Sequence, residues 1–211
     1  MKKSEPDNEI PAKTIERLSQ YRRLLITFAG DDKKNIYSHE LAKIMNLTPV
    51  QVRRDLMLIG YSGSQNKGYL INNLIELIGS IIDSKEGEKI IIIGMGNLGR
   101  AITSYFLGKR EKLNIVAAFD NDSYKTNRVI SGVKCYDISR LKEIINKENV
   151  SIAVLTVAPE AAENTCKLLV NTNIKGILNY TTIPLKVPES IHLEEYDMIT
   201  SMEKLAYFVK E

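Results

Sequence analysis

A glycine-rich turn follows a run of four consecutive isoleucines near the middle of the chain. It comprises, with the spacing G-x-G-x-x-G, the residues Gly94, Met95, Gly96, Asn97, Leu98 and Gly99. Where such a turn joins a strand to a helix, the first glycine permits the tight bend, the second lets the backbone approach a pyrophosphate, and the third lets the helix pack on the strand. The helix N-terminus adds N–H groups and a positive dipole that attract phosphate. The motif therefore predicts a dinucleotide-binding turn.

A carboxylate stands where a dinucleotide site needs one. Asp120 ends the next predicted strand, 21 residues after Gly99, where it can accept hydrogen bonds from the adenosine ribose hydroxyls and repel a 2′-phosphate. Because no arginine follows immediately, NAD(H) is favoured over NADP(H). The alternatives are a domain that has lost its ligand or that binds another nucleotide, such as coenzyme A.

Two adjacent arginines form the second group with chemical potential, on a short helix predicted to begin after Thr48. The apolar residues of that helix share one face, so Arg53 and Arg54 point outward. Arginine forks can reach guanine O6 and N7 in the major groove of DNA, and Gln51 can address adenine. Thr48 is predicted to contact the DNA as well. Only two residues separate this helix from a preceding short helix, which Ser38 is expected to cap; such a tight pair is typical of a helix-turn-helix. The alternative is a small docking module whose arginines are solvated.

A turn-rich stretch follows the two short helices, with glycines at 60, 63 and 68, and ends at residues 69–71. It predicts a small β-hairpin, or wing, with Lys67 near its tip in reach of phosphates. Long amphipathic helices are predicted on either side, around residues 15–28 and 74–81. Residues 1–80 hold 12 Lys and Arg against 9 Asp and Glu, which accounts for the whole net charge of +3. This excess favours an anionic partner, with a solvated surface as the alternative.

The second half alternates short apolar runs with helical patterns. Strands are predicted at residues 89–93, 114–119, 133–136, 151–157 and 175–179, helices at 98–107, 138–147 and 159–170, and a last helix from Ser201 to the end of the chain. This alternation predicts an α/β fold with a Rossmann-type parallel sheet covered on both faces. A polar break at residues 83–89 divides the chain. The expected organisation is a winged helix-turn-helix domain at 1–82, a Rossmann-type domain at 83–198 and a C-terminal helix at 199–211.

Composition excludes several other classes of protein. With 44% apolar and 26% charged residues, no long apolar run and a polar N-terminal stretch, the chain is expected to be cytoplasmic and to have no membrane partner. Its two cysteines, Cys135 and Cys166, lie far apart in sequence and favour neither a disulfide framework nor a metal site. They are interpreted as small buried residues, with a thiol switch as the alternative. His39 is expected at the surface, since no second metal ligand lies near it.

The order of these motifs resembles the Rex family of redox-sensing repressors. The segments that carry the resemblance are Pro11 to Leu25, residues 51–56, Gly94 to Arg100, Phe119-Asp120, residues 176–180 and the last helix. The resemblance implies a homodimer in which the C-terminal helix is swapped onto the partner subunit. It also implies repression at a palindromic double-stranded operator, and release of that DNA when NADH replaces NAD⁺.

The same resemblance assigns roles to three residues that couple the domains. Asp197 would pair with Arg17 in the DNA-competent dimer, or accept a hydrogen bond from the Tyr105 hydroxyl when NADH binds, and Tyr105 would also contact the cofactor. The sequence departs from the family pattern in a less basic wing (residues 62–69) and in the position of Pro184, which stands two residues later than is common. Operator preference and ligand affinity are the properties that these departures affect.

Two rival functions share part of this pattern. An NAD-dependent oxidoreductase needs a substrate pocket and a proton donor, but the chain has only two histidines, His39 and His192, and the second half is little longer than a dinucleotide fold. No catalytic residue is therefore predicted, and the chain is not expected to be an enzyme. The other rival is a winged-helix regulator that answers to a different nucleotide.

Overall fold

The computed structural model describes residues 10–64 and 67–210. The chain divides into two compact units, Met1–Lys85 and Glu86–Glu211. None of the helices within the described ranges is long and apolar enough to cross a membrane.

Within residues 10–64 and 67–85, the first unit has four helices and two short strands. In chain order these are α1 (Ala12–Gly30), β1 (Asn35–Ile36), α2 (Ser38–Met45), α3 (Pro49–Leu58), β2 (Tyr69–Leu70) and α4 (Ile71–Ile82). The apolar stripe of α1 supplies Leu18, Tyr21 and Leu25, which are fully buried and pack in one cluster with Leu74 and Ile78 of α4. Burial of these stripes explains why the period of about 3.6 residues is so clear in the sequence.

The joint between α2 and α3 forms the predicted helix-turn-helix. Asn46 takes the left-handed conformation (φ 53°) that ends α2, and the Thr48 side chain caps α3 by accepting a hydrogen bond from the Gln51 N–H at 3.1 Å. Pro49 occupies the first turn, where its missing N–H is of no consequence.

The wing region differs in detail from the predicted hairpin. β2 pairs antiparallel with β1, and Ser64 and Gly68 form an isolated antiparallel bridge. Gln65 and Asn66, which the prediction placed within the wing, lie outside the described residues. Ile71 was expected in the hairpin but begins α4. Its side chain is buried in the helical core, and that burial sets the boundary.

From residue 86 to residue 210, the second unit contains seven strands and four α-helices. In chain order these are β3 (Glu88–Ile93), α5 (Asn97–Phe106), β4 (Leu113–Asp120), β5 (Val129–Ile130), β6 (Val133–Asp137), a one-turn 3-10 helix (Ile138–Arg140), α6 (Leu141–Glu148), β7 (Ile152–Leu155), α7 (Pro159–Val170), β8 (Gly176–Asn179), β9 (His192–Glu195) and α8 (Met198–Phe208). Their order in the sheet is β5-β6-β4-β3-β7-β8-β9. Every pairing is parallel except that of β5 with β6.

The central strand β3 explains the four consecutive isoleucines. Ile91 and Ile93 belong to the apolar cluster on one face of the sheet, whereas Ile90 and Ile92 belong to the cluster on the other face. A strand buried on both faces reads as a continuous apolar run. The predicted doubly covered parallel sheet is therefore confirmed.

Two helix starts were predicted at the wrong residue. Ser38 is the first residue of α2, and Tyr37 takes the capping position, where its N–H donates to the Glu40 carboxylate at 2.8 Å. The last helix begins at Met198 instead of Ser201, because the Asp197 side chain accepts hydrogen bonds from the N–H groups of Ile199 and Thr200. It ends at Phe208, and none of its residues is buried.

Packing at the end of β3 gives a first prediction. A Cβ on Gly99 would collide with the carbonyl oxygen of Gly94, so Gly99→Ala should lower the free energy of unfolding by about 1 to 3 kcal/mol or more. Thermal or urea unfolding of the purified variant measures the loss. Gly30→Ala is the control, since a Cβ there meets nothing within 4 Å. Equal stability of the parent and Gly99→Ala would contradict this packing.

Candidate functional site

A crevice opens at the carboxyl ends of the central strands. The chain leaves β3 toward β4 on one side and later returns to β7 on the other, and ligands of open α/β sheets bind at such a switch point. The crevice encloses a cavity of about 560 Å³. Its polar lining comes from Asp120, Asn121, Lys125, Thr156, Glu160, Asn164 and Thr165.

The three glycines of the turn have different reasons to lack a side chain. Gly94 has a φ of 98°, and a Cβ there would lie 2.7 Å from the Thr156 carbonyl. Gly99 would collide with the Gly94 carbonyl oxygen. Gly96 has an ordinary φ of −75°, and a Cβ on it would meet nothing within 4 Å. Gly94 and Gly99 are therefore required by the fold, whereas Gly96 leaves open space that borders the cavity.

The start of α5 has the unpaired N–H groups that the motif predicted for binding a phosphate. Gly96 is the N-cap, and the first intrahelical bond runs from the Arg100 N–H to the Gly96 carbonyl at 3.0 Å. The N–H groups of Asn97, Leu98 and Gly99 precede that bond and have no acceptor within the helix. They provide a site for an anion at the positive end of the helix dipole.

Asp120 has a structural task that the sequence did not indicate. One carboxylate oxygen accepts from the Met95 N–H at 2.8 Å and from the Lys125 ammonium at 3.1 Å, and the other accepts from the Asp122 N–H at 2.9 Å. Burial alone would raise the pKa of Asp120, but these hydrogen bonds and the Lys125 charge hold it below its usual value. The carboxylate thus ties the glycine turn to the end of β4.

A ribose hydroxyl that binds Asp120, as expected, would have to share its carboxylate with these protein donors. About four lone-pair positions are available on its two oxygens, and three already have protein donors. Lys125 was missed, although it lies only five residues beyond Asp120 and lines the same cavity. Asn121 and Thr156 were missed as well. Each directly follows the carboxyl end of a strand, and that position could have identified it as a residue of the site.

Tyr105, Asp197 and Arg17 each have partners within their own unit. Tyr105 is 62% exposed on α5, its ring lies 3.7 Å from the Lys109 ammonium, and it does not line the cavity. Asp197 caps α8, and also accepts a hydrogen bond from the Thr200 hydroxyl at 2.6 Å, which lowers its pKa. The cofactor contact of Tyr105 and the coupling roles of all three residues stay predictions.

The outward face of α3 carries the predicted DNA-contacting side chains. Arg53 and Arg54 are exposed, and between them lies a shallow apolar patch formed by Val50, Met57 and Leu58. Arg53 donates to the Ser38 hydroxyl at 3.2 Å. Lys67 is exposed in the wing. A recognition helix has this combination of guanidinium groups and apolar surface.

Beneath that face lies a buried carboxylate that sequence reasoning missed. Asp55 is 0% exposed and accepts two hydrogen bonds from the Arg17 guanidinium, at 2.6 and 2.7 Å. It also accepts from the Tyr21 hydroxyl at 2.9 Å and from the Gln51 amide at 2.9 Å. Burial would raise the pKa of Asp55, but the hydrogen bonds from its partners keep it below its usual value. Arg17 and Gln51, predicted to act on other partners, are both held by this group.

Cys135, Cys166 and His39 have the structural roles expected for them. Both cysteines are buried and free, and burial raises the pKa of the Cys135 thiol to about 11 and that of Cys166 above its ordinary value. His39 is exposed and stacks on Tyr37 with ring centres 5.5 Å apart. Within the described residues, no group of three or more His, Cys, Asp and Glu side chains could hold a metal ion.

Comparison with known proteins places both units. Residues 9–56 match the family model described as "Putative DNA-binding protein N-terminus", and residues 85–183 match the model described as "CoA binding domain". Among solved structures, RSP, a Rex-family repressor, is 30% identical with a TM-score of 0.83, over 95% of this chain and 94% of that one. RSP in complex with β-NAD⁺ and operator DNA is 31% identical with a TM-score of 0.88, over 95% and 93% of the two chains.

Curated relatives match over almost their whole length. The redox-sensing transcriptional repressor Rex of Lactobacillus acidophilus is 33% identical over 201 residues, which cover 95% of each chain. The protein of the same description from Halalkalibacterium halodurans is 35% identical over 202 residues, which cover 96% of this chain and 95% of that one. This chain belongs to the Rex family of redox-sensing transcriptional repressors.

Proposed function

We propose that this protein represses transcription by binding operator DNA, and that it leaves the operator when NADH replaces NAD⁺. The observation that carries the proposal is the presence, in one chain, of an arginine-bearing recognition helix and a Rossmann crevice with open space at Gly96. A structural relative, RSP, is known in complex with β-NAD⁺ and operator DNA and in complex with β-NADH. Electrophoretic mobility shift of operator DNA, titrated with NADH at fixed NAD⁺, tests it directly.

NAD(H) is the ligand that the crevice fits best. The N-terminus of α5 takes the pyrophosphate, Gly96 gives it room, and Asp120 remains available to one ribose hydroxyl. A match to a CoA-binding model over residues 85–183 makes coenzyme A the second candidate ligand. Calorimetric titration with NADH, NAD⁺, NADPH and coenzyme A separates the two, and tight binding of coenzyme A alone would contradict NADH sensing.

The proposed assembly is a homodimer on a palindromic operator. Helix α8 supports it, since its apolar side chains are 48 to 75% exposed and a single helix of this length is marginal in water unless it packs. We propose that α8 docks on the partner subunit. The proposed domain boundaries lie between residues 82 and 83 and between residues 198 and 199. The chain acts as a regulator and not as an enzyme. Its site of action is the cytoplasm, where a bacterial repressor meets its operators.

The DNA-contacting arginines give a second prediction. Arg54→Ala should cost about 1 to 3 kcal/mol of operator discrimination, because a bidentate contact to guanine is lost, and Arg53→Ala should weaken binding as well. Mobility shifts on a palindromic, AT-rich operator and on a scrambled duplex measure the change. Arg128→Ala, an exposed arginine of the second unit, is the control. Unchanged binding in both α3 variants would remove α3 from the interface.

Gly96 gives a third prediction. Gly96→Val should reduce NADH affinity by at least about tenfold, roughly 1.4 kcal/mol, because the new side chain occupies the space that borders the cavity. Operator binding without NADH should stay near the parent value, and the thermal midpoint should fall less than in Gly99→Ala, since a Cβ on Gly96 meets no neighbour and its φ is ordinary. NADH titration that matches the parent would show that the pyrophosphate does not approach Gly96.

The coupling residues give a fourth prediction. Tyr105→Phe removes only a hydroxyl, so NADH should still bind but should release DNA poorly. Asp197→Asn tests the acceptor, since asparagine also caps helices and should preserve α8. Tyr124→Phe, another exposed tyrosine, is the control. If both coupling variants leave the operator at the parent's NADH concentration, the predicted exchange of partners at Asp197 does not operate.

A further inference from the structure

Gln51 is bound to a buried group at one end and faces the surface at the other. It is the third residue of α3, and its amide Nε2 donates to the Asp55 carboxylate one turn further along, at 2.9 Å. Asp55 is completely buried, whereas Gln51 is half-buried. Residues near the N-terminus of a recognition helix are those that reach base edges.

The chemistry of Asp55 fixes which end of the amide points outward. An ionised carboxylate only accepts hydrogen bonds, so the group of Gln51 that faces it must be the NH₂ group, and Oε1 must point away. Two hydrogen bonds from Arg17 hold the carboxylate ionised, and Tyr21 provides a third donor. With these partners in place, Asp55 cannot turn to follow a rotation of Gln51.

Bonding to Asp55 restricts the hydrogen bonds that the Gln51 amide can make with a base. One N–H is used by Asp55, and no other hydrogen bond engages the Gln51 side chain within residues 10–64 and 67–210. It therefore offers one donor and one acceptor. Adenine presents the complement, an acceptor at N7 and a donor at N6, whereas guanine presents two acceptors, N7 and O6. A freely turning amide could point its NH₂ group toward guanine, but a held amide sets Oε1 against O6.

We propose that Asp55 is a specificity-determining residue that holds the Gln51 amide in the orientation that accepts adenine and rejects guanine in the major groove. Asp55 acts through Gln51 and touches no base itself, so it is a positioning residue. The proposal rests on the proposed function, in which α3 enters the groove of operator DNA. A bond that served only as an i, i+4 pair to stabilise the helix would leave base preference untouched.

The first experiment locates the base that Gln51 reads. Operator duplexes with one symmetric base-pair change each are measured against the parent protein and against Gln51→Met, which keeps the length of the side chain and removes the amide. The expected result is one position per half-site where the parent prefers adenine and the variant does not. If no position behaves in this way, Gln51 reads no base and the proposal is overturned.

The second experiment needs only the parent protein. At that position adenine is replaced by purine, which lacks the N6 amino group, or by hypoxanthine opposite cytosine, which presents O6 without adding the guanine 2-amino group. A held amide gives the affinity order adenine, purine, hypoxanthine, because hypoxanthine sets two oxygens face to face. Hypoxanthine should bind at least about fivefold more weakly than adenine. If the protein binds the hypoxanthine duplex more tightly than the purine duplex, the amide turns freely, and this result overturns the proposal.

The third experiment releases the amide. Asp55→Asn keeps the shape of the side chain but can present an NH₂ group to Gln51. The affinity for the hypoxanthine duplex should therefore rise to or above the affinity for the purine duplex. The salt dependence of binding, which phosphate contacts set, should be retained. Asp83→Asn is the matched control, since it weakens another α1 ion pair, with Arg22 at 2.6 Å, away from Gln51. An unchanged order in folded Asp55→Asn contradicts the role of Asp55.

The outcomes separate this proposal from the function on which it rests. If Asp55→Asn does not fold, the order of purine and hypoxanthine in the parent decides the matter alone. If the parent binds operator DNA but has a higher affinity for the hypoxanthine duplex than for the purine duplex, only the role of Asp55 is contradicted. A parent that binds no operator at any NAD⁺ or NADH concentration contradicts the proposed function.

Discussion

The close approach of the Gly94 carbonyl to the start of α5 is the constraint on which the cofactor crevice depends. Gly99 packs against that carbonyl so tightly that no side chain fits, and the Thr156 hydroxyl donates to the same oxygen at 2.7 Å. The end of β3, the start of α5 and the end of β7 are thereby fixed around one atom. Asp120 adds the end of β4 by binding the Met95 N–H. A site fixed in this way has little reorganisation to undergo when a ligand binds.

Asp55 and Asp120 solve similar problems in the two units. Each is a nearly buried carboxylate, 0% and 7% exposed, that combines a cationic partner with neutral donors. Replacing a buried ion pair by apolar residues often leaves a protein as stable or more so, so such pairs are weak evidence for stability. What each carboxylate does supply is position, because several donors converge on it from different elements. One lies beneath the α3 surface and the other beside the glycine turn.

Features carried by local periodicity could be predicted from sequence, and features carried by tertiary partners could not. The isoleucine run, the stripe of α1 and the Thr48-Pro49 start of α3 each leave a signal within a few residues. Asp55 gives no such signal, since a charged residue inside a helical segment is normally solvated, and only Arg17 and Tyr21, more than 30 positions away, reveal its burial.

The same distinction divides the glycines and the last helix. The spacing of the motif identified Gly94, Gly96 and Gly99 together. Only the packing around each glycine separates Gly94 and Gly99, which the fold requires, from Gly96, which leaves space. For α8, periodicity placed the start at Ser201, whereas the cap at Asp197 adds three residues. A short capping signal is easily outweighed when the apolar pattern of a helix is weak and all of its residues are exposed.

The burial of the two cysteines determines how readily oxidants can react with the thiols of this protein. Thiols react with oxidants as thiolates, and burial keeps Cys135 and Cys166 protonated, the former with a pKa of about 11. Neither thiol is therefore a ready target for peroxide or for disulfide exchange. Under the proposed function, a change in the cell's oxidation state would then act on this protein through the ligand in the crevice and not through these two thiols.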